Sequence, residues 1–299
     1  MTSIDPKSVS TAHFHSILLT AVAPRPIAFA STIDEKGNVN LSPFSFFNAF
    51  SANPPILVFS PARRVRDNTT KHTLENVLKV PEVVINIVDY PIVEQMSLAS
   101  TEYDEGVNEF IKSGLTEVPS DTVKPPRVKE SPVSFECKVI EVKSLGDNGG
   151  AGNLIICEVL MAHIQDHLMT DDQKLDPTRL DLVARMGGNW YTKTNADTMF
   201  EIPKPLTTKG IGFDQLPENV KNSSVLTGNN LGRLANVEQL PNKEEVLSIS
   251  NEPEVSAILE SFADDEESLE KELHVLAQKY LMAGQTDQAW QVILQGEYL

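Results

Sequence analysis

The stretch Arg25–Ser60, RPIAFASTIDEKGNVNLSPFSFFNAFSANPPILVFS, decides the fold class. Ile27–Thr32 (IAFAST) lies between Pro26 and the turn Asp34-Glu35-Lys36-Gly37, and Ile56–Ser60 (ILVFS) lies between Asn53-Pro54-Pro55 and Pro61. Short β-branched and aromatic runs bounded by Pro, Gly and Asn read as strands joined by tight turns. Val83–Val88 (VVINIV) adds a third, and Val133–Val142 and Leu154–Ile164 add two longer ones, joined by the turn Gly146–Gly152 (GDNGGAG). This pattern predicts a mainly β domain whose antiparallel sheet closes or nearly closes. Three short peripheral helices interrupt it, over Thr70–Val80, Pro91–Ala99 and Val107–Lys112, the last stopped by Gly114.

The whole chain has 299 residues, 40% of them apolar, and a formal charge of −17. Such acidity argues against wrapping nucleic acid or lying on an anionic membrane, because both need clustered Lys and Arg. No apolar run reaches the roughly 20 residues of a membrane span, and the apolar run Ile17–Ala23, cut by Pro24, lacks the flanks of a signal peptide. Cys137 and Cys157 make a poor disulfide framework, so a reduced, cytoplasmic setting is expected. Against the acidic background, cationic clusters mark where an anionic ligand would bind.

One such cluster is Ser60-Pro61-Ala62-Arg63-Arg64-Val65-Arg66-Asp67-Asn68-Thr69-Thr70, which holds three of the eight arginines just before a predicted helix. Free N–H groups at a helix start, hydroxyls and bidentate arginine together suit a phosphate. A solvated loop paired with nearby carboxylates is the competing reading. A second candidate is Asn40–Ser51, where Phe44, Phe46, Phe47 and Phe50 alternate with Ser and Asn. It suits a flat heteroaromatic ring, and equally a half-buried strand. Ala184–Tyr191 (ARMGGNWY) offers Gly187-Gly188 for close approach and Trp190 or Tyr191 to cap a planar ligand. The Gly149–Gly152 run is a hairpin turn with no helix after it, hence no dinucleotide-binding loop. His163 and His167 straddle a strand end, so no metal is expected there.

Arg25–Ser60, followed by RDNTTKHTLENV (Arg66–Val77) and VVINIV, resembles the flavin reductase-like family of FMN-binding split barrels. Flavoredoxin-like proteins and the reductase partners of two-component monooxygenases belong to it. The resemblance covers about residues 15–200. It implies an antiparallel, Greek-key split β-barrel, FMN as cofactor, and NADH or NADPH as hydride donor to flavin N5. By this likeness Ser45, Phe46, Phe47 and Asn48 contact the isoalloxazine ring, while Ser60, Arg66, Asn68, Thr69 and Thr70 hold the phosphate. Arg185, Gly187 and Tyr191 match a late Arg-x-Gly-Gly segment near the flavin. No catalytic side chain is implied. A homodimer follows, with free flavin, a monooxygenase or another acceptor protein taking the electrons. The alternatives are an FMN-containing electron-transfer protein and a non-catalytic FMN-binding protein.

The likeness stops near residue 200. Residues 201–262 are polar and Pro/Asn-rich without sustained periodicity, which reads as an arm. Residues 263–299 read as a helical pair, with Leu269, Leu273, Leu276 and Tyr280 as an apolar stripe. The expected division is therefore a 1–200 barrel and a 201–299 extension, the stripe borrowing a surface from the barrel or its twin.

Overall fold

A computed structural model of the chain describes residues 1–298. It divides into two compact units, Met1–Phe200 and Glu201–Leu299.

The first unit opens with α1 (Thr11–Ala21), whose N-cap Ser10 side chain accepts the His13 N–H. Strands β1 (Ala28–Ile33) and β2 (Val39–Phe44) follow, then β3 (Phe47–Ala52) and β4 (Pro55–Phe59). The β1–β2 turn is local chemistry: Asp34 accepts the N–H groups of Lys36 and Asn38, each at 2.8 Å, and Gly37 takes φ +86°. Next come α2 (His72–Lys79), β5 (Glu82–Ile87), α3 (Val93–Leu98) and α4 (Glu109–Ser113), which Gly114 ends in the left-handed region. The unit closes with a small ribbon of β6 (Glu117–Val118) and β7 (Arg127–Val128), the long hairpin of β8 (Val133–Ser144) and β9 (Asn153–Ile164), and the pair β10 (Leu182–Gly187) and β11 (Trp190–Thr194).

Seven strands form one antiparallel sheet in the order β2-β1-β5-β8-β9-β4-β3. Its two edge strands, β2 and β3, are consecutive in the chain and separated only by Ser45 and Phe46. The sheet must therefore curl until its edges meet, and at that seam the ladder is split. The Phe44 and Phe59 rings stand 5.4 Å apart across it. Ala28, Ala30, Phe59, Ile85, Cys137, Ile155 and Cys157 fill the interior, with Leu74 and Val77 of α2 as a plug. Phe29 and Leu41 face the other way and pack with Met96 and Phe110 under α3 and α4. This is the antiparallel split β-barrel expected from the sequence, with short peripheral helices.

Three residues of the seven-stranded sheet fall outside the strand register, Phe50 on β3, Ile140 on β8 and Leu160 on β9. Each is a bulge residue, and each is exposed, at 69%, 51% and 45%. Bulges re-aim side chains, and here all three turn a large apolar group outward.

In the second unit, residues 201–262 do not form a polar arm. They carry α5 (Glu218–Lys221), α6 (Gly228–Leu234), α7 (Lys243–Leu247) and α8 (Pro253–Ser261), followed by α9 (Glu266–Met282) and α10 (Thr286–Ile293). The stripe residues Leu269, Leu273 and Leu276 are buried with Val220, Leu234, Val246 and Val255, so their partner lies inside the unit. Trp290 is 1% exposed and donates Nε1–H to the Leu234 carbonyl at 3.1 Å. Helices of four to nine residues are too short for a helical period to stand out. Among the described residues no helix is long and apolar enough to cross a membrane.

This helical core encloses His274. Ser223 Oγ accepts the N–H groups of Val225 and Leu226, so its hydroxyl proton goes to His274 Nδ1 at 2.8 Å. The ring proton then sits on Nε2, which is buried without a partner. Burial holds the imidazole pKa below its ordinary 6.5. The folded state thus binds this proton less readily than the unfolded one, and stability falls as pH drops below 6.5. Thermal unfolding of the helical unit is expected to be flat above about pH 7 and to weaken below about pH 6, and His274→Leu should flatten that slope. An unchanged slope in the variant would show that His274 does not set it.

Candidate functional site

A polar cavity lies at the seam of the barrel. Pro43, Phe44 and Ser45 form one wall, Met96, Ser97 and Ser100 a second, and Arg185 with Tyr191 a third, around about 250 Å³. Arg185 and Tyr191 are paired across the β10–β11 ladder, and the guanidinium lies 4.5 Å from the ring centroid. Tyr191 therefore presents a supported aromatic face with a cation upon it. Arg185 also donates Nη2–H to the Gly188 carbonyl at 2.7 Å.

Arg185 exchanges both backbone hydrogen bonds with Arg25, at 3.0 and 2.9 Å. The Arg25 side chain reaches back to the end of α1, donating to the Leu19 and Val22 carbonyls. It is 5% exposed, and its Nε has no partner. Burial lowers the Arg25 pKa, and Arg185 lowers it further. Among the described residues neither guanidinium is paired with a carboxylate. Two adjacent arginines without a counter-ion make this end of the cavity electropositive.

A separate cleft of about 20 Å³ is lined by Ser42 of β2, by Ala99, Thr101 and Glu102, and by Arg64 and Lys71, so it draws on the same strand and the same loop as the cavity without sharing a lining residue. Lys71 is half-buried, and its pKa is lowered by burial and by the Arg64 guanidinium, with Glu102 opposing. Arg64 donates to Glu102 at 2.8 Å and to Thr69 Oγ1 at 2.7 Å. The β8–β9 turn braces this loop, because Arg63 N–H donates to Ala151 O and Gly150 N–H to Arg63 O. A Cβ at Gly149 would lie 3.0 Å from the Arg64 carbonyl oxygen, which explains the glycine.

Of the twelve residues expected at the flavin, Ser45, Arg185 and Tyr191 line the cavity together. The other nine line neither the cavity nor the cleft. Phe47 packs on the barrel interior, Phe46 is 38% exposed with its ring edge-on to His15, and the Asn48 side chain caps Ala49. Ser60 is buried, and its N–H donates to Phe46 O. Arg66 pairs with Asp67 and Glu102, Asn68 holds Arg63 and the Asp147 carbonyl, Thr69 donates to Asp67, and Thr70 donates to Glu75. Gly187 sits at φ +116°, where a Cβ would lie 2.8 Å from Thr20 Oγ1, so α1 is what requires the glycine. Trp190 is 77% exposed and leaves the cavity to Tyr191. Sequence reading missed Lys71, the residue after the expected phosphate group, and Arg25, whose only signal is its place before Pro26.

A split antiparallel barrel with an aromatic, arginine-capped groove at its seam defines the class. The sequence matches the flavin reductase like domain over residues 21–178, and the chain belongs to that family. An uncharacterized protein of Aquifex aeolicus is 36% identical over 188 residues, spanning 63% of this chain and 93% of its own length. Component B of nitrilotriacetate monooxygenase from Bacillus cereus is similar in structure, with TM-score 0.63 and 27% identity over 68% of this chain and 98% of its own. A Shewanella frigidimarina protein described as a flavin reductase with a split barrel domain has TM-score 0.58 and 26% identity, over 68% of this chain and all of its own.

Proposed function

We propose that this chain is an FMN-binding NAD(P)H:flavin reductase, with the ring in the Ser45–Arg185–Tyr191 cavity and the phosphate toward Lys71. The observation that carries this reading is Arg185, lying over the Tyr191 ring and, like its neighbour Arg25, without a carboxylate partner among the described residues, in a chain of charge −17. The cavity of about 250 Å³ is of a size and shape for a flat ring, and Ser45, Ser97 and Ser100 offer hydroxyls to its polar edge. When bound, the flavin supplies the hydride chemistry at N5, taking the hydride from NADH or NADPH. The protein's own work is electrostatic. Arg185 stabilises added negative charge, Tyr191 fixes the plane, and Met96 and Phe44 exclude water from the ring. No side-chain acid or base is needed for that transfer.

Two assays in sequence test the reading. The purified protein should show flavin absorption bands in the visible or acquire them on adding FMN, and it should then oxidise NADH or NADPH when free flavin is supplied. Colour without oxidation would instead identify an electron carrier or a storage protein, and absence of both would overturn the proposal. Released reduced flavin would serve a monooxygenase or another acceptor. The two thiols fit a reducing cytoplasm, since both are buried and burial pushes the Cys137 pKa up to about 12.

We also propose a homodimer, held by the outward bulges of Phe50, Ile140 and Leu160. Three large apolar side chains on β3, β8 and β9 would otherwise stay in water. Light scattering should report twice 33.0 kDa, and Phe50→Asp with Leu160→Asp should halve it. A monomeric wild type would refute the proposal.

A further inference from the structure

We propose that a second cavity, between the β6–β7 ribbon and the joined ends of β8 and β9, binds a small organic dianion. Its volume is about 320 Å³, and its polar walls are Arg127, Lys129, Ser131, Ser134, His163 and Gln165. It shares no lining residue with the seam cavity or its cleft. No carboxylate lines it, in a protein where acidic residues outnumber basic ones by 42 to 25.

The hydrogen-bond inventory identifies which of these groups are free. Ser131 donates its hydroxyl to Ile87 O and Val133 O, and Ser134 donates to Asn86 Oδ1. Gln165 spends Nε2 on Ser131 O. Arg127 uses Nε and Nη2 on the Pro119 carbonyl, which leaves Nη1. Lys129 has no ion-pair partner among the described residues, so its ammonium is uncommitted. His163 gives Nε2 to Glu136 at 2.7 Å, which leaves Nδ1. The cavity therefore retains one ammonium, one guanidinium nitrogen and one imidazole nitrogen, from three separate positions. Two cationic groups and a titratable third suit a molecule with two carboxylate or phosphate groups better than a single halide-sized ion.

Glu136 makes the imidazole a usable partner. It is fully buried, and its Oε1 accepts the Asp121 N–H at 2.8 Å as well as His163. Its Oε2 accepts the N–H and hydroxyl of Thr122, at 2.6 and 2.5 Å. With the Nε2 side fixed on a carboxylate, Nδ1 remains the ring's open nitrogen for a ligand. The other charged groups facing the ring are Asp121 of the β6–β7 loop, at 4.0 Å, and Arg127 of β7, which lies 3.8 Å from Glu136 Oε1. Lys129 completes the set from the cavity wall.

Asp121, Glu136 and His163 could also be read as a metal site, since their ligand atoms lie within 4.8 Å of one another. The Arg127 guanidinium beside Glu136 opposes a cation there, and both Glu136 oxygens are already engaged. An anion meets neither objection.

Calorimetric titration with succinate and with glycerol 3-phosphate tests the proposal, with neutral succinamide as the control. At least one dianion should bind saturably and succinamide should not. Lys129→Ala should weaken binding about tenfold, the usual loss for one hydrogen bond to a charged group. His163→Gln, which can still donate to Glu136 but lacks the Nδ1 group, should weaken dianion binding by a similar factor. Lys71→Ala, which alters the seam cleft, should leave succinate binding unchanged, so failure here and failure of the flavin reading are separable. Absence of saturable binding for both dianions, or binding indifferent to Lys129→Ala and His163→Gln, would overturn the proposal.

Discussion

FMN is expected to bind about a hundredfold more tightly than riboflavin, and Lys71→Ala to remove most of that difference, the scale of one or two charge-assisted hydrogen bonds. The two ligands share the ring and ribityl chain, so their difference isolates the phosphate. Lys71 and Arg64 line the cleft in which the proposed reading puts the phosphate. Lys71 is half-buried beside a second cation, which burial and the Arg64 charge make costly for the ammonium. Glu102 at 3.9 Å offsets part of that cost, and on the proposed reading a phosphate dianion would relieve the rest. Of the five residues expected at the phosphate from sequence, Ser60 is buried, and Arg66, Asn68, Thr69 and Thr70 are satisfied by Asp67, Glu102, Arg63, Asp147 and Glu75. Exposed pairs of that kind contribute little, so Arg66→Ala should change FMN affinity less than Lys71→Ala. Equilibrium titration of both variants with both ligands decides. If Arg66→Ala costs more, the loop rearranges around the phosphate and the sequence assignment stands.

That contrast shows what a sequence can disclose about such a site. Residue types and order were enough to place an arginine and hydroxyl loop after β4 and an aromatic segment before it. They could not show which arginine faces the cavity, because alternate loop residues point apart by less than one residue's spacing. Arg64 and Arg66 differ only in what surrounds them: Arg64 is braced by Thr69 and Thr70, while Arg66 is 73% exposed in its side chain. Asn40–Ser51 was open between a ring-binding segment and a strand, and it became two strands whose phenylalanines diverge. Phe44 and Phe47 went to the barrel interior and Phe50 to the surface. The barrel itself was legible because β1, β4, β5, β8 and β9 are runs of β-branched residues between turn formers. The helix α1 was not, since only its Ser10 cap distinguishes it and its apolar stretch ends at Pro24. The interior of residues 201–262 failed for the same reason at larger scale, each helix being shorter than the window a period needs.

Replacing Glu136 with Ala is expected to cost about 3–5 kcal/mol, the usual loss when one partner of a buried ionic group is removed. In a unit of this size that lowers the melting temperature by roughly 6–20 °C. Glu136 points out of β8 into a shell that contains nothing but donors: Asp121 and Thr122 N–H, the Thr122 hydroxyl and His163. Truncation leaves four polar groups around a void and frees the β6–β7 loop, whose backbone has no other side chain pinning it at Asp121 and Thr122. Burial alone would raise the carboxyl pKa, but these hydrogen bonds outweigh it and hold the value at about 2. A folded pKa below the unfolded value of 4.5 means that the folded state releases this proton more readily. The contribution is therefore complete above about pH 5 and disappears as pH falls toward 2, amounting to about 3 kcal/mol by the pKa difference. That window lies below the one set by His274, so the barrel and the helical unit should respond to acid in separate pH ranges. Glu136→Gln keeps the shape and accepts two of the donors, and should lose less stability than Ala while abolishing the response between pH 5 and 2. Calorimetric melts of the three proteins across that range provide the measurement. If the wild type and Glu136→Gln show the same acid slope, the carboxylate charge does not hold the β6–β7 loop against the barrel.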